Sequence, residues 1–114
     1  MSEDKELISI STNRFFKLIQ NSSDVIILDI RTKREFDEEH LPLTIQLDYY
    51  DPLFKKKLDS LDKSKTYFIY CRSGFRSGHT LRFMKILDFL KVYDLKKGII
   101  DWKKHSFPME KDEK

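Results

Sequence analysis

Alanine is absent from this chain of 114 residues, which carries nine Phe, five Tyr and one Trp instead. Bulky rings are therefore expected to fill interior space that small side chains often take. Cysteine occurs once, as Cys71. A single thiol excludes an internal disulfide framework, a multi-cysteine metal site and an internal resolving thiol, and neither metal nor cofactor is expected. Glycine and proline number three each, and no linker or internal repeat is visible. No stretch approaches the ~20 apolar residues that a membrane span requires. The opening MSEDKELISI is acidic and lacks the apolar run of a secretory signal, so cytoplasm is the expected location. An excess of one charge is missing too. Against 22 basic residues stand 19 acidic ones, a net charge of +3. The signs alternate rather than forming a stripe, which removes nucleic acid from the expected partners. Lys55-Lys56-Lys57, the longest basic run, reads as a solvated helix face.

What is present alternates between strand and helix patterns. Ile8 and Ile10 suggest a short first strand. Phe15, Leu18 and Ile19 recur at helical spacing behind Ser11 or Thr12 as N-cap. The run VIILDI, residues 25–30, reads as a strand buried on both faces. Thr32 with Glu35 forms a capping box for a short helix to about Glu39. A brief strand is expected at 45–47. Pro52 then starts a helix that buries Leu53, Phe54, Leu58 and Leu61. Tyr67 to Tyr70 is the next strand. A helix from Ser77 with a wide apolar face follows, including Leu81, Met84 and Ile86. A strand at 92–95, a turn at 96–98 and a last short helix from Ile99 to about His105 complete the order. The alternation predicts one α/β domain over 1–114, its mostly parallel sheet covered by helices on both sides. The ordered core is expected over about 8–109, with a frayed charged tail at 110–114. In such sheets ligands bind beyond the carboxyl ends of the strands, where Asp29 and Cys71 both fall.

The stretch YCRSGFRSG, residues 70–78, concentrates the chemistry. Strand, short loop and helix in that order aim several backbone N–H groups at one place beside the positive end of the helix. Arg72 and Arg76 add charge, and such surroundings favour thiolate over thiol. Cys71 thus reads as a nucleophile within an anion cradle. The bland alternative is a buried, inert thiol. Two arginines, two serines and two glycines in the seven residues that follow are poor company for one. Gly74 lets the loop curl without a Cβ in the way, and Ser73 and Ser77 offer hydroxyl hydrogen bonds. Phe75 either walls the pocket mouth or joins the core. Arg76 could instead form a surface ion pair, and Arg72 could point to solvent. His79 could stand near Cys71 as a base, but reads better as a helix-surface residue.

Five segments in order, LDIRTKREF (28–36), HLP (40–42), YCRSGFRS (70–77), VYDL (92–95) and KGIIDW (97–102) followed by FP (107–108), make the chain resemble the rhodanese family of single-domain sulfurtransferases. The resemblance implies a doubly wound α/β fold around a parallel five-stranded sheet, with Cys71 carrying sulfur as a persulfide. It further implies that Arg72, Ser73, Gly74, Phe75, Arg76 and Ser77 surround a small anionic donor such as thiosulfate. A thiol, cyanide or a sulfur-acceptor protein would then take the sulfur. Asp29 and Arg31 match the family's Asp-x-Arg segment and read as supporting the site, with Arg31 able to pair with Glu35 one turn on. His40 matches a position read as holding a turn. Leu43, Thr44 and Asp88 stand where the family pattern has small residues, and Gly98 stands where it has a glycine pair. Those turns are expected to be rebuilt locally.

Two rival classes remain. Cell-cycle phosphatases that resemble this fold place five residues between cysteine and arginine. Here four separate Cys71 from Arg76, a cradle that suits sulfur held on cysteine better than phosphate. A protein-binding or sulfur-relay module with little small-molecule turnover is the other.

Overall fold

A computed structural model describes residues 4–111 of the chain. Along it run β1 (Glu6–Ile10), α1 (Thr12–Gln20), β2 (Ile26–Asp29), α2 (Lys33–Glu38), β3 (Thr44–Gln46), α3 (Phe54–Asp59), β4 (Thr66–Tyr70), α4 (Phe75–Ile86), β5 (Lys91–Leu95) and α5 (Gly98–Lys104). The five strands form one parallel sheet in the order β1-β5-β4-β2-β3. From β2 the chain proceeds outward to β3, and from β4 it proceeds the other way to β5. The sheet's topological switch point therefore lies between β2 and β4, and ligands gather at such a crevice.

Period-two alternation divides the strand side chains between two cores. Leu28, Tyr67, Ile69, Cys71 and Val92 face α3 and α4, packing with Phe54, Leu58, Leu81 and Met84. Ile27, Phe68, Tyr70, Tyr93 and Leu95 face α1 and α5, packing with Phe15, Ile99 and Trp102. Rings take the place of the missing alanines on this second face. Phe15 meets Phe68 edge-on at 5.3 Å, Phe16 meets Trp102 at 5.5 Å and stacks on Phe107 at 4.0 Å. Such pairs typically add ~0.5–1.5 kcal/mol each beyond their buried area.

Several element ends differ from expectation, each for a local reason. Asp51 Oδ1 accepts the Leu53 N–H at 2.8 Å, so Pro52 and Leu53 belong to a turn and α3 starts at Phe54. Leu53 is consequently exposed. In α4 the buried stripe is narrow, Ser77, Thr80, Leu81 and Met84, and Ile86 points away from it into solvent. Glu110, expected in the frayed tail, exchanges backbone hydrogen bonds of 2.8 and 2.7 Å with His40. Residues 112–114 of that tail lie outside the described residues.

The turns that lack glycine are not rebuilt. Asp88 keeps the left-handed conformation (φ 67°) and closes α4 with a Schellman motif: its N–H donates to the Lys85 carbonyl, and that of Phe89 to the Met84 carbonyl. Leu43 follows Pro42 at φ 58°, the position a Pro-Gly turn gives to glycine. A leucine there costs roughly 1–2 kcal/mol in backbone strain, and at 90% exposure it gains no packing in return. Leu43→Gly relieves the strain but loosens the unfolded chain. The net expectation is a gain of about 0.5–1 kcal/mol, read as a higher midpoint in urea unfolding with unchanged slope.

Candidate active site

Cys71 follows the last residue of β4 and lies beneath its loop, 1% exposed. Its Sγ accepts the Gly74 N–H at 3.2 Å and the Ser77 N–H at 3.3 Å, and the Ser77 Oγ stands 3.5 Å away. Gly74 is the N-cap of α4. Phe75, Arg76 and Ser77 thus supply the first-turn N–H groups that an α-helix leaves without internal acceptors. Ser77 directs its own at the sulfur. Ser77, expected to offer its hydroxyl, thus offers its main-chain N–H as well.

The loop is built against the β5–α5 turn. Ile99 N–H donates to the Cys71 carbonyl at 3.0 Å and Ile100 N–H to the Arg72 carbonyl at 3.2 Å. Gly98 (φ 71°) lies so close to the loop that a Cβ would stand 2.6 Å from Ser73 N and nearer still to the Arg72 carbonyl. Gly74 (φ 100°) leans on the Lys96 carbonyl in the same way. Lys97, in the place of the second family glycine, has an ordinary φ of −99°, which any residue adopts.

The loop side chains separate into three groups. Arg72, Ser73 and Phe75 are exposed, and Phe75, at 72%, is not part of the core. Ser77 is fully buried. Arg76 forms the ion pair that was the plain alternative for it: Nη1 and Nη2 donate to Glu35 Oε1 and Oε2 at 2.9 and 3.0 Å. Its guanidinium lies 5.7 Å from the Tyr50 ring.

Arg31 does not pair with Glu35. It precedes the cap of α2 and turns inward, giving Nε and Nη2 to Asp29 and a 2.7 Å hydrogen bond to the Glu39 carbonyl. Asp29 also accepts the Tyr70 hydroxyl at 2.7 Å, and Tyr70 OH accepts the Leu41 N–H. This buried network fastens the carboxyl ends of β2 and β4 at Tyr70, the residue before Cys71, and neither Asp29 nor Arg31 bonds the sulfur. His40 stacks on Phe36 at 3.9 Å and holds the turn at its bridge to Glu110. His79 is exposed, its ring edge against Phe75.

Glu35 thus has two tasks, closing the capping box with Thr32 and holding Arg76. The Arg76 hydrogen bonds, opposed by burial and helped by the Thr32 N–H, pull its carboxyl down to about 2 from 4.5. A lowered folded-state value stabilises above the unfolded one. That contribution is whole above about pH 4.5 and fades as the pH falls toward 2. Melting temperature followed from pH 7 to 2 is expected to fall less steeply below pH 4.5 in Glu35→Gln, which starts from a lower neutral-pH value.

The chain is similar to a sulfurtransferase of Allochromatium vinosum, 31% identical over 91 residues that cover 80% of this chain and 83% of the relative. It is also similar to a putative sulfur carrier protein of Bacillus subtilis, 29% identical over 93 residues; there the match covers 82% of this chain but 49% of the longer relative. In fold it is similar to the crystal structure of a rhodanese-related protein from Thermoplasma volcanium, with a TM-score of 0.79, 23% identity, and coverage of 91% and 98% of the two chains. Residues 12–105 match the model of the rhodanese-like domain, and the chain belongs to that family.

Proposed function

We propose that the chain is a sulfurtransferase that carries sulfane sulfur as a persulfide on Cys71. Family membership and relatives named sulfurtransferase and sulfur carrier support sulfur transfer in general. The observation that carries the finer reading is the Cys71 Sγ accepting two main-chain N–H groups at the foot of α4. With thiosulfate as donor, the Cys71 thiolate attacks the outer sulfur. A new S–S bond forms, the donor's S–S bond breaks, and sulfite leaves with the electron pair. An acceptor thiolate or cyanide then attacks the outer persulfide sulfur and returns Cys71 as thiolate, a ping-pong sequence. Donors already aimed at the developing charge lower the barrier without having to reorganise.

A relay to a protein acceptor is a second reading, and the loop favours it on two grounds. Phe75 and Tyr50 are 72% and 65% exposed, and the Arg76 guanidinium lies over the Tyr50 ring beside the loop. Arg76 is also neutralised by Glu35, which leaves Arg72 as the loop's exposed cation. The pull on a dianion is thus weaker than a count of two arginines suggests.

Incubation of the reduced protein with thiosulfate, followed by intact mass, tests the reading. A gain of one sulfur atom, removed by cyanide with release of thiocyanate, supports it. Comparison with 3-mercaptopyruvate and with a protein persulfide ranks the donors. No adduct from any of the three overturns it.

A further inference from the structure

Glu35 does more than the cap of α2 requires. A capping box closes with Gln as it does with Glu, so the box alone asks for no charge. The charge has another neighbour. Both carboxylate oxygens accept from Arg76, in a fork of hydrogen bonds at 2.9 and 3.0 Å. With its carboxyl pulled down to about 2, Glu35 is ionised throughout the neutral range. The pair belongs to the immediate surroundings of the nucleophile. Arg76 precedes Ser77, whose main-chain nitrogen lies 3.3 Å from Cys71 Sγ. Two backbone bonds join that nitrogen to Arg76 Cα, which therefore stands within about 6 Å of the sulfur. Arg72, the loop's exposed cation, borders with Glu35 a cavity of about 520 Å³. An anion drawn toward Arg72 meets the Glu35 carboxylate in the same space.

From this arrangement we infer that Glu35 is a specificity-determining residue. By cancelling the charge of Arg76, it turns the Cys71 site away from doubly charged sulfur donors and toward donors that bring one negative charge or none. The inference rests on the sulfur-transfer reading and names a donor class within it. The thiolate itself does not depend on a free guanidinium, because the Gly74 and Ser77 N–H groups hold it. What the pairing changes is the field that an arriving donor crosses. A fixed charge acts on a donor in proportion to the donor's own charge. A neutral reagent feels nothing, a monoanion feels the field once and a dianion twice. In rates, the factor for a dianion is therefore the square of the factor for a monoanion. A carboxylate that merely held the loop in shape would leave no such pattern, since a displaced loop slows every reagent alike.

Glu35→Gln keeps the capping box and removes the charge. Alkylation of Cys71 by iodoacetate, an anion, against neutral iodoacetamide reads the field with no sulfur donor present. The ratio of the two rates cancels any change in thiolate fraction. It is expected to rise about threefold in Glu35→Gln at low ionic strength, and the rise should shrink in molar salt. After the same correction by the iodoacetamide rate, kcat/KM for thiosulfate should rise about tenfold, the square of that factor. Arg76→Gln leaves Glu35 unpaired and should lower the alkylation ratio about threefold. The double variant carries neither charge and should return to the wild-type ratio, although each single change departs from it. An unchanged ratio in Glu35→Gln overturns the inference, as does a double variant that stays with either single one. A ratio that rises while no donor transfers sulfur would end the sulfur-transfer reading and leave Glu35 as the residue that sets which anions reach Cys71.

Discussion

Cys71→Ser is expected to abolish sulfur transfer, lowering turnover by roughly 10³-fold or more, as removal of a nucleophile does elsewhere. Serine offers an oxygen that the Gly74 and Ser77 N–H groups can still bond, so the loop keeps its acceptor. Loss of the larger sulfur from a site 1% exposed should cost only about 1 kcal/mol of stability. The two readouts therefore separate. Steady-state transfer and the sulfur adduct vanish together, while the thermal transition moves by a few degrees at most. Wild-type-like turnover in the variant would place the chemistry on another atom and end the persulfide scheme.

Gly98→Ala is expected to have the next largest effect, although residue 98 never touches the sulfur. The added methyl would lie 2.6 Å from Ser73 N and nearer to the Arg72 carbonyl, all main-chain atoms of the loop that no rotamer change can move aside. The loop must retreat by about 1 Å to restore ordinary contact, and displacements of that size can cost ~10²-fold in rate. The left-handed backbone adds strain of roughly 1–2 kcal/mol. We expect transfer to fall about a hundredfold and the melting temperature to drop. Gly78→Ala provides the control. It lies in the same α4 with nothing within 4 Å of its added methyl, and should raise stability by about 0.5–1 kcal/mol with turnover intact. Equal activity of the two variants would show that the loop does not depend on the turn behind it.

Much of this was legible in the chain before its fold was known. The VIILDI run and the stretch from Tyr67 to Tyr70 marked β2 and β4, and Thr32 with Glu35 marked the start of α2, because local patterns of burial and capping are written in adjacent residues. The cradle around Cys71 was legible for the same reason, since strand, loop and helix follow one another without a break. Most of what stayed hidden joins residues far apart, the Arg31–Asp29 pair being the exception. Glu35 was identified as a cap, but its hold on Arg76 spans 41 positions. Arg31 was read on helical spacing, yet it precedes the helix cap and turns to Asp29. Gly98 was noted as the survivor of a glycine pair; only the packed structure shows the Arg72 carbonyl lying against it.

The sulfur of Cys71 is held by main-chain N–H groups, whereas Arg72, Ser73 and Phe75 turn their side chains outward. On the sulfur-transfer reading proposed above, chemistry rests with the backbone ring and recognition with these outward side chains. Substitutions at these three positions can redraw the surface a donor or acceptor meets while the backbone ring beneath keeps its shape. A single nucleophile can in this way be handed from one partner to another over evolutionary time without passing through an inactive ancestor.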